Sequence, residues 1–423
     1  MRKTLDQKLA AIHADPSGCR DFIIADAKDA DMGFGVGAPG QSPESHTGEL
    51  RFRTLAEYRQ QIRQIIGQGV VDIMLMSAST NAMLNIDERL FENSAITPAA
   101  RANDASDVFV VRGGTYLSEP ARPFRSATLD HIQCGHVDCT PEQRMLGANL
   151  GLYSLTFTNR LEEDLVALGA YREFRTEAER KGFRHFLEVF DPNVPAGLDS
   201  AELPKFINDH IARTLAGVAP AGRPVFLKIV YHDPKSMEEL VSYDPHLVVG
   251  ILGGGAGTTY DAFKLLAEAQ KYGARAALFG RKINSAECQL AFVEFLRMIA
   301  DGVISPEEAV RAYHAVLAKL NIKPGRKLED DLTLQTNVMS YGSNSTSVPN
   351  PIPRPQSPVP SPGSCSCGCN GKKPGGCGDA ASESTSKSTY DPSVPPDFGR
   401  MTQAEKLAYN KAKRDHVYGH FGR

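Results

Sequence analysis

Pro224-Val-Phe-Leu-Lys-Ile-Val-Tyr231 has the composition of a strand that is buried on both faces. Six of the seven residues after the proline are β-branched, aliphatic or aromatic, which is typical of parallel sheets covered by helices. The exception is Lys228. Burying an ammonium without a partner is costly, so we expect the protein either to pair Lys228 or to use the lowered pKa that burial gives an amine.

The chain that follows this segment repeats a unit of strand and helix. The apolar run Leu247–Leu252 opens into the turn Gly253-Gly-Gly-Ala-Gly257, and a helical pattern covers Tyr260–Tyr272. A further apolar run, Arg275–Arg281, comes after that helix. In folds built from such units the chemistry lies at the carboxyl ends of the strands.

The same alternation extends over most of the chain and predicts eight strands, each followed by a helix or a long loop. This number favours a (β/α)8 TIM barrel over an open doubly wound sheet. The opening helix is predicted at Leu5–Ala14, and helices Ala286–Ile299 and Ser305–Leu320 are predicted to close the barrel. Besides the three runs above, the predicted strands are Phe22–Ala25, Val70–Met76, Asp107–Val111, Leu152–Phe157 and His185–Phe190.

The composition predicts three regions, namely a barrel domain (1–335), a low-complexity linker (336–400) and a short C-terminal helix (401–423). The linker is rich in Ser, Pro, Gly and Asn, a composition that predicts disorder. Its four cysteines have a spacing that favours a thiol-rich linker over a metal site. The terminal helix, about Thr402–His416, is either a solvated tail or a segment that docks on a partner. The cysteines are Cys365, Cys367, Cys369 and Cys377.

The overall composition is that of a globular protein, with 41% hydrophobic residues, 23% charged residues and a net charge of −3. Nothing in this balance indicates nucleic acid as a partner. The chain has neither the apolar run of a membrane span nor the apolar core of a secretory signal, so we expect a cytoplasmic protein. In a reducing compartment Cys19, Cys134, Cys139 and Cys288 are expected to be free thiols.

Glu188 and Lys228 are the ionisable residues in the middle of two consecutive predicted strands. Alternate strand residues share a face, so a barrel interior would bring this carboxylate and this amine together. They form either a catalytic pair or a structural ion pair. The glycine turn and Gly280-Arg281 follow the last two strands, where a barrel commonly binds phosphate.

These residues resemble a known family. Lys228 in the sixth strand, the glycine turn after the seventh and Gly280-Arg281 after the eighth are similar to the class I aldolases of the archaeal-type fructose-bisphosphate and tagatose-bisphosphate aldolase group. The resemblance runs from about Phe22 to Ile299. It implies a TIM barrel in which Lys228 forms a Schiff base with a substrate ketone.

The resemblance also implies roles for other residues. Asp26 matches the aspartate at the end of the family's first strand, and Lys28 stands where relatives often have a basic residue. Glu188 matches the acid–base glutamate of the tagatose-bisphosphate members. Phe190 occupies the place where the fructose-bisphosphate members use a tyrosine, so a mechanism that needs that hydroxyl is disfavoured.

We therefore expect a class I aldolase that makes or breaks a C–C bond in a phosphorylated ketose or a related aldol, without a metal or another cofactor. We also expect a homo-oligomer that contacts neither nucleic acid nor membrane. The expected catalytic residues are Lys228, Glu188 and Asp26. The residues expected to bind substrate or phosphate are Lys28, Gly253, Gly254, Gly255, Gly280 and Arg281.

Two alternative functions keep the same barrel. One is a phosphosugar lyase or isomerase without covalent catalysis, in which Lys228 acts through its charge. The other is a catalytically idle barrel that serves as a scaffold or cargo module through its C-terminal tail.

Other residues could carry chemistry as well. Lys28 is a rival nucleophile, but in a polar loop its pKa would stay high. His185 and His232 are expected at the rim of the barrel. The long connection from Thr115 to about Arg144 contains a cluster that could bind zinc, although we favour a loop lining the active-site mouth. That cluster is His131, Cys134, His136 and Cys139.

Overall fold

Eight parallel strands form one closed barrel in the computed structural model, which describes residues 1–42, 51–109, 111–255, 257–336 and 402. Each strand pairs with the next, and the eighth returns to pair with the first. The predicted TIM barrel is confirmed. The strands are β1 (Ile23–Lys28), β2 (Ile73–Met76), β3 (Thr97–Arg101), β4 (Leu150–Thr156), β5 (Arg184–Phe190), β6 (Leu227–Ile229), β7 (Val249–Leu252) and β8 (Ala276–Phe279).

Helices lie between the strands and surround the barrel. Several begin at capping residues that the sequence shows directly: Ser305 accepts a hydrogen bond from the backbone N–H of Glu308 and so starts the helix predicted there. The helices are α1 (Thr4–Ala14), α2 (Leu55–Gln68), α3 (Ala78–Asn81), α4 (Leu129–Cys134), α5 (Leu161–Arg180), α6 (Leu203–Ala216), α7 (Pro234–Tyr243), α8 (Thr259–Lys271), α9 (Arg281–Ser285), α10 (Gln289–Ala300), α11 (Pro306–Lys319) and α12 (Leu328–Asp331).

The third strand is not where the sequence predicted it. Strand β3 is Thr97–Arg101, whereas Asp107 and Val108 lie in a turn just beyond it. The apolar run Asp107–Val111 has high β propensity, while β3 contains Pro98 and two alanines, which are poor strand formers. Burial between β2 and β4 overrides that propensity. After β3 the chain forms a short antiparallel ribbon, Asp104–Ala105 with Pro123–Phe124.

The barrel wall separates an inner apolar layer from an outer one. The inner layer contains Ile23, Ala25 and Ala27 of β1 together with Leu5 and Leu9 of α1, so α1 closes the amino-terminal end of the barrel. The outer layer lies between the strands and the surrounding helices and contains the alternate strand residues. With one end closed, a site inside the barrel opens at the carboxyl ends of the strands.

Cys134 and Cys139 form a disulfide, so the prediction of free thiols at these positions is wrong. Helix α4 ends at Cys134, and Gly135 in the left-handed conformation turns the chain back. This turn brings the two Cα atoms to 6.1 Å, within the range that a disulfide spans. Cys19 and Cys288 are free. The disulfide does not fit the reducing compartment on which the prediction rested.

The predicted linker cysteines and the predicted terminal helix lie outside the described residues. Within the described part of the chain, no helix is both long and apolar enough to cross a bilayer.

Candidate active site

Lys228 and Glu188 lie side by side inside the barrel, as the alternation of the two strands predicted. They are register partners in β6 and β5, and the ammonium contacts the Oε1 atom of the carboxylate. Both side chains are buried, and the pair stands directly above the inward-facing rings of Phe186 and Phe226. In both β5 and β6 the ionisable residue thus has an inward-facing aromatic residue two positions before it, toward the closed end of the barrel. The closed bottom of the barrel leaves only the mouth as a way for a substrate to reach this amine.

Three further polar residues complete the floor of the site. Ser154 of β4 donates a hydrogen bond to Glu188 Oε2 at 2.7 Å. Arg101, the last residue of β3, lies 3.8 Å from the same oxygen and donates through Nε to Asp29 Oδ2 at 2.7 Å. Glu188 is therefore held between two cations and a hydroxyl. The sequence prediction missed Arg101 because it placed the third strand ten residues too late.

Asp26 and Lys28 do not lie beside Lys228. Their register partners in β2, Met74 and Met76, belong to the outer apolar layer, whereas Ala27 between them faces inward. Both side chains therefore point from β1 toward the surrounding helices. The first carboxylate of this segment that lines the cavity of Lys228 is Asp29, three residues beyond the one that the resemblance selected.

Lys28 is not in a polar loop, and the expectation that its pKa stays high is wrong. It is fully buried at the end of β1, and burial lowers its pKa. Its ammonium donates to Asn284 Oδ1 at 2.5 Å and to Gln289 Oε1 at 3.0 Å, and it lies 3.2 Å from Asp26 Oδ2. Burial also raises the pKa of Asp26, to about 6. With three polar partners, the Lys28 nitrogen is bound within the barrel wall.

Part of the predicted phosphate rim surrounds the cavity. Gly253, Gly254, Gly280 and Arg281 line it together with Lys228. The guanidinium of Arg281 lies 5.8 Å from the ring centre of Phe34, which comes from the loop after β1. Gly255 does not line the cavity but packs against Arg281, where an added Cβ would come within 3.2 Å of the arginine side chain.

Not every backbone group of this rim can bind an anion. The N–H of Gly253 donates to Leu278 O. The first turn of α8 is capped by two carboxylates, because Asp261 accepts from Thr258 N and Asp331 accepts from Thr259 N. The phosphate site that a helix N-terminus after the glycine turn would offer is thus already occupied by protein groups. The remaining candidates are Gly254, Gly280 and the Arg281 side chain.

Lys282 holds the glycine turn in place. It is buried and donates to the carbonyl oxygens of Gly257 at 2.6 Å and Thr258 at 3.0 Å. Burial lowers its pKa to about 8. No pattern in the sequence indicates this role, because Lys282 comes after β8 and not within an apolar run.

The mouth of the barrel is apolar on one side. An apolar cluster on this side contains Phe190, Val230 and Leu252, which come two residues after Glu188, Lys228 and Gly250 and face inward like them. Val108 packs against this cluster from the turn after the ribbon. The cavity beside Lys228 has a volume of about 40 Å³, room for one or two water molecules.

The histidines and the cysteine loop do not form a metal site. His185 is a core residue, bonded to Tyr171 at 2.9 Å, and burial lowers its pKa to about 3, so its prediction as a rim residue is wrong. His232 does lie at the end of β6, 2.9 Å from Asp191. The disulfide uses two of the four predicted zinc ligands, and the described residues contain no group of three or more ligand-type side chains placed to hold a metal. His131 lines a separate groove with Asp31 and Ser77.

Comparison with known proteins confirms the resemblance at the level of the fold. No family model and no curated protein sequence matches this chain. A fructose-bisphosphate aldolase from Slackia heliotrinireducens superposes with a TM-score of 0.51 at 14% identity, covering 74% of this chain and 91% of that one.

Two other solved structures are similar over most of their length. An archaeal fructose 1,6-bisphosphate aldolase has a TM-score of 0.49 at 14% identity, over 70% of this chain and 99% of its own. An orotidine 5′-phosphate decarboxylase from Pyrococcus horikoshii has a TM-score of 0.37 at 13% identity, over 66% of this chain and 100% of its own. At 14% identity the match to the Slackia heliotrinireducens structure shows the TIM-barrel fold alone.

Proposed function

We propose that this protein is a class I aldolase in which Lys228 forms a Schiff base with the ketone of a phosphorylated ketose or a related aldol. The proposal depends on the position of Lys228, a buried amine that faces the inside of the barrel, lines the cavity at its open end and contacts a buried carboxylate. Lys28, the rival nucleophile, is bound to three polar partners in the barrel wall.

The chemistry follows from this pair. Glu188 takes a proton from the Lys228 ammonium, and the free amine adds to the substrate carbonyl to give a carbinolamine. Glu188 then returns the proton to the carbinolamine hydroxyl, which leaves as water, and a protonated imine remains. That imine withdraws electrons from the neighbouring C–C bond, so the bond can break or form.

The residues at the rim of the cavity orient the substrate. Arg281 with the backbone at Gly254 and Gly280 binds a phosphate, and Arg101 and Asp29 face the part of the substrate nearest to the imine. The reaction requires no metal. Asp26 and Lys28, which the resemblance placed in the site, are assigned here to the stability of the barrel wall. The cytoplasmic location, the homo-oligomer and a docking partner for the C-terminal helix stay predictions.

A specific observation also favours a second function. Contact with Glu188 stabilises the charged form of Lys228, and an ammonium held in this way can stabilise a developing anion without covalent catalysis. The second candidate is therefore a phosphosugar lyase or isomerase on the same barrel. The scaffold or cargo alternative depends on the tail, which lies outside the described residues.

Reduction with borohydride separates the two enzymatic candidates, because only an imine is converted into a stable secondary amine. The protein is incubated with dihydroxyacetone phosphate or fructose 1,6-bisphosphate, reduced and analysed by mass spectrometry with peptide mapping. We expect an adduct on Lys228 and none in Lys228→Met. Ketose cleavage without an adduct would establish the non-covalent candidate, and an adduct on Lys28 would overturn the assignment of the nucleophile.

A further inference from the structure

Asp107 is a buried carboxyl group at the mouth of the barrel that the mechanism above does not use. It lies in the turn after the short ribbon and is 6% exposed. Thr156, the last residue of β4, donates to its Oδ2 at 2.7 Å. Its Oδ1 atom is buried and has no hydrogen-bond partner among the described residues. A buried carboxylate oxygen left in this way is costly unless it serves a ligand or a reaction.

The position of Asp107 relates it to the Lys228 cavity. Thr156 comes two residues after Ser154 on β4, so it lies on the same inward face, one step closer to the mouth. Val108, the next residue along the chain, lines the cavity together with Lys228. Asp107 thus lies on the mouth side of the Glu188–Lys228 pair, beside the cavity, and close enough to Glu188 and Arg101 for their charges to act on its pKa.

The other groups of the site leave a proton transfer unassigned. Breaking the C–C bond of an aldol requires a base for the hydroxyl that becomes the carbonyl. Glu188 is in contact with Lys228 and accepts from Ser154, so it serves the nitrogen end of the substrate. Phe190, which follows Glu188 on the same face of β5, has no polar atom. Asp29 lines the cavity, but its carboxylate accepts a hydrogen bond from Arg101 at 2.7 Å.

We propose that Asp107 is the general base and acid of the C–C bond step, acting on the substrate hydroxyl from the loop after β3. The proposal rests on the proposed function, because it requires the imine at Lys228. Burial raises the pKa of Asp107 to about 6, and the neighbouring Glu188 carboxylate raises it as well. The hydrogen bond from Thr156, the backbone N–H of Asp107 itself and the charge of Arg101 act in the opposite direction. Such a pKa suits a group that exchanges protons near neutral pH.

Asp107 takes the hydroxyl proton, the O–H electron pair forms the new C=O bond, and the C–C bond breaks with its electrons moving into the protonated imine. The products are an aldehyde and an enamine on Lys228. Asp107 gives up a proton, the enamine carbon accepts one, and water hydrolyses the resulting imine to release the ketone. In the direction of synthesis Asp107 donates the proton to the new hydroxyl.

The test compares Asp107→Asn with Asp104→Asn in the full-length protein. Asparagine keeps the shape of the side chain and can still accept from Thr156. Asp104 is a buried aspartate in the ribbon just before that turn and accepts from Ser126 instead of Thr156, so it is a matched control outside the site. Imine formation is measured by borohydride trapping with dihydroxyacetone phosphate. Bond cleavage is measured as aldehyde release in a single turnover of fructose or tagatose 1,6-bisphosphate.

We expect Asp107→Asn to keep the adduct and to slow cleavage by about 10²- to 10⁴-fold, while Asp104→Asn changes neither measurement by more than about threefold. Cleavage by the wild-type protein should fall below about pH 6, and this decline should be absent in the variant. Cleavage by Asp107→Asn near the wild-type rate, or an equal loss of adduct and cleavage, would overturn the role of Asp107. Either result would leave the proposed Schiff-base function of Lys228 intact. If the wild-type protein forms no adduct, the proposed function fails first, and this role fails with it.

Discussion

Two buried pairs of a lysine and a carboxylate lie on opposite sides of the same barrel wall. Lys228 and Glu188 face the cavity inside the barrel. Lys28 and Asp26 face the helices outside it, where Asn284 and Gln289 bind the ammonium. Both pairs contain the residue types of an acid–base site. The first pair alone faces the cavity that a substrate could enter. The face of the strand, and not the residue types, therefore distinguishes the pair proposed for catalysis from the pair that stabilises the barrel wall.

The two pairs also differ in how their carboxylates are supported. Glu188 has Ser154 and Arg101 as further partners. Asp26 has Lys28 as its one ion-pair partner among the residues that the structure describes. A carboxylate with several partners tolerates the loss of one, while a carboxylate with a single partner becomes an unpaired buried charge. We therefore expect the inner pair to govern activity and the outer pair to govern stability.

The largest expected effect is on activity at the inner pair. Glu188→Gln keeps the size of the side chain but removes the group that exchanges protons with Lys228, so kcat should fall by about 10²- to 10⁴-fold. Asp26→Asn should change kcat by no more than about threefold, because that side chain lies outside the cavity. The measurement is steady-state cleavage of a ketose bisphosphate at pH 7.5, with folding checked by circular dichroism. A comparable loss in both variants would show that the face of β1 does not separate the two roles.

The next effect is on stability at the outer pair. Lys28→Met leaves Asp26 buried without its cation, which should lower the free energy of unfolding by about 3 to 5 kcal/mol. The double variant Asp26→Leu/Lys28→Met should recover part of this loss, because it removes the unpaired charge as well. Lys228→Met should lose less than Lys28→Met, since Glu188 keeps Ser154 and Arg101.

Urea unfolding of the four proteins at pH 7 measures these differences. A double variant no more stable than Lys28→Met, or an equal loss at both lysines, would contradict the account of how the two carboxylates are supported.

The inner pair could be predicted from the sequence for a simple reason. The runs around Glu188 and Lys228 are long and apolar on both sides of the ionisable residue, so the period of two and the pairing of consecutive strands place both residues inside. The barrel itself follows from the number of such runs. These features depend on local pattern and need no knowledge of distant contacts.

The outer pair, Lys28 and Asp26, could not be placed from the local sequence pattern. The sequence pattern predicts that the first strand ends at Ala25 and that Asp26 and Lys28 lie in a loop, since charged side chains rarely continue a buried strand. In the structure β1 continues to Lys28, and the alternation therefore turns both side chains outward. The partners that make this burial tolerable, Asn284 and Gln289, come from helices more than 250 residues later. No local pattern contains that information.

Arg101 and Asp107 were missed for a related reason. The segment Thr97–Arg101 has a proline and two alanines, so its strand is formed by burial between neighbours and not by intrinsic propensity. The error placed Asp107 in a strand and hid a carboxyl group at the mouth of the barrel. Resemblance to a family could not correct this, because it transfers positions along the chain and not the direction of a side chain.

The smallest expected effect concerns the pH dependence of stability and distinguishes Asp26 from Asp107. Burial raises the pKa of both carboxyls to about 6, so the folded protein holds protons that the unfolded chain releases near pH 3.8. Each group therefore contributes stability that is fully present below the unfolded pKa and is lost as the pH rises through about 6. For Asp26 the contribution is at most about 3 kcal/mol.

Urea unfolding of the wild-type protein and of Asp26→Asn at several pH values between 4 and 7 measures this contribution. The wild-type advantage over the variant should shrink as the pH rises, since asparagine does not titrate. Asp107→Asn should show the same trend in stability and in addition lose the decline of cleavage below about pH 6. Asp26→Asn should keep that decline, because its carboxyl group faces the helices. A change of the cleavage profile in Asp26→Asn would mean that the barrel wall transmits the charge of the outer pair to the site.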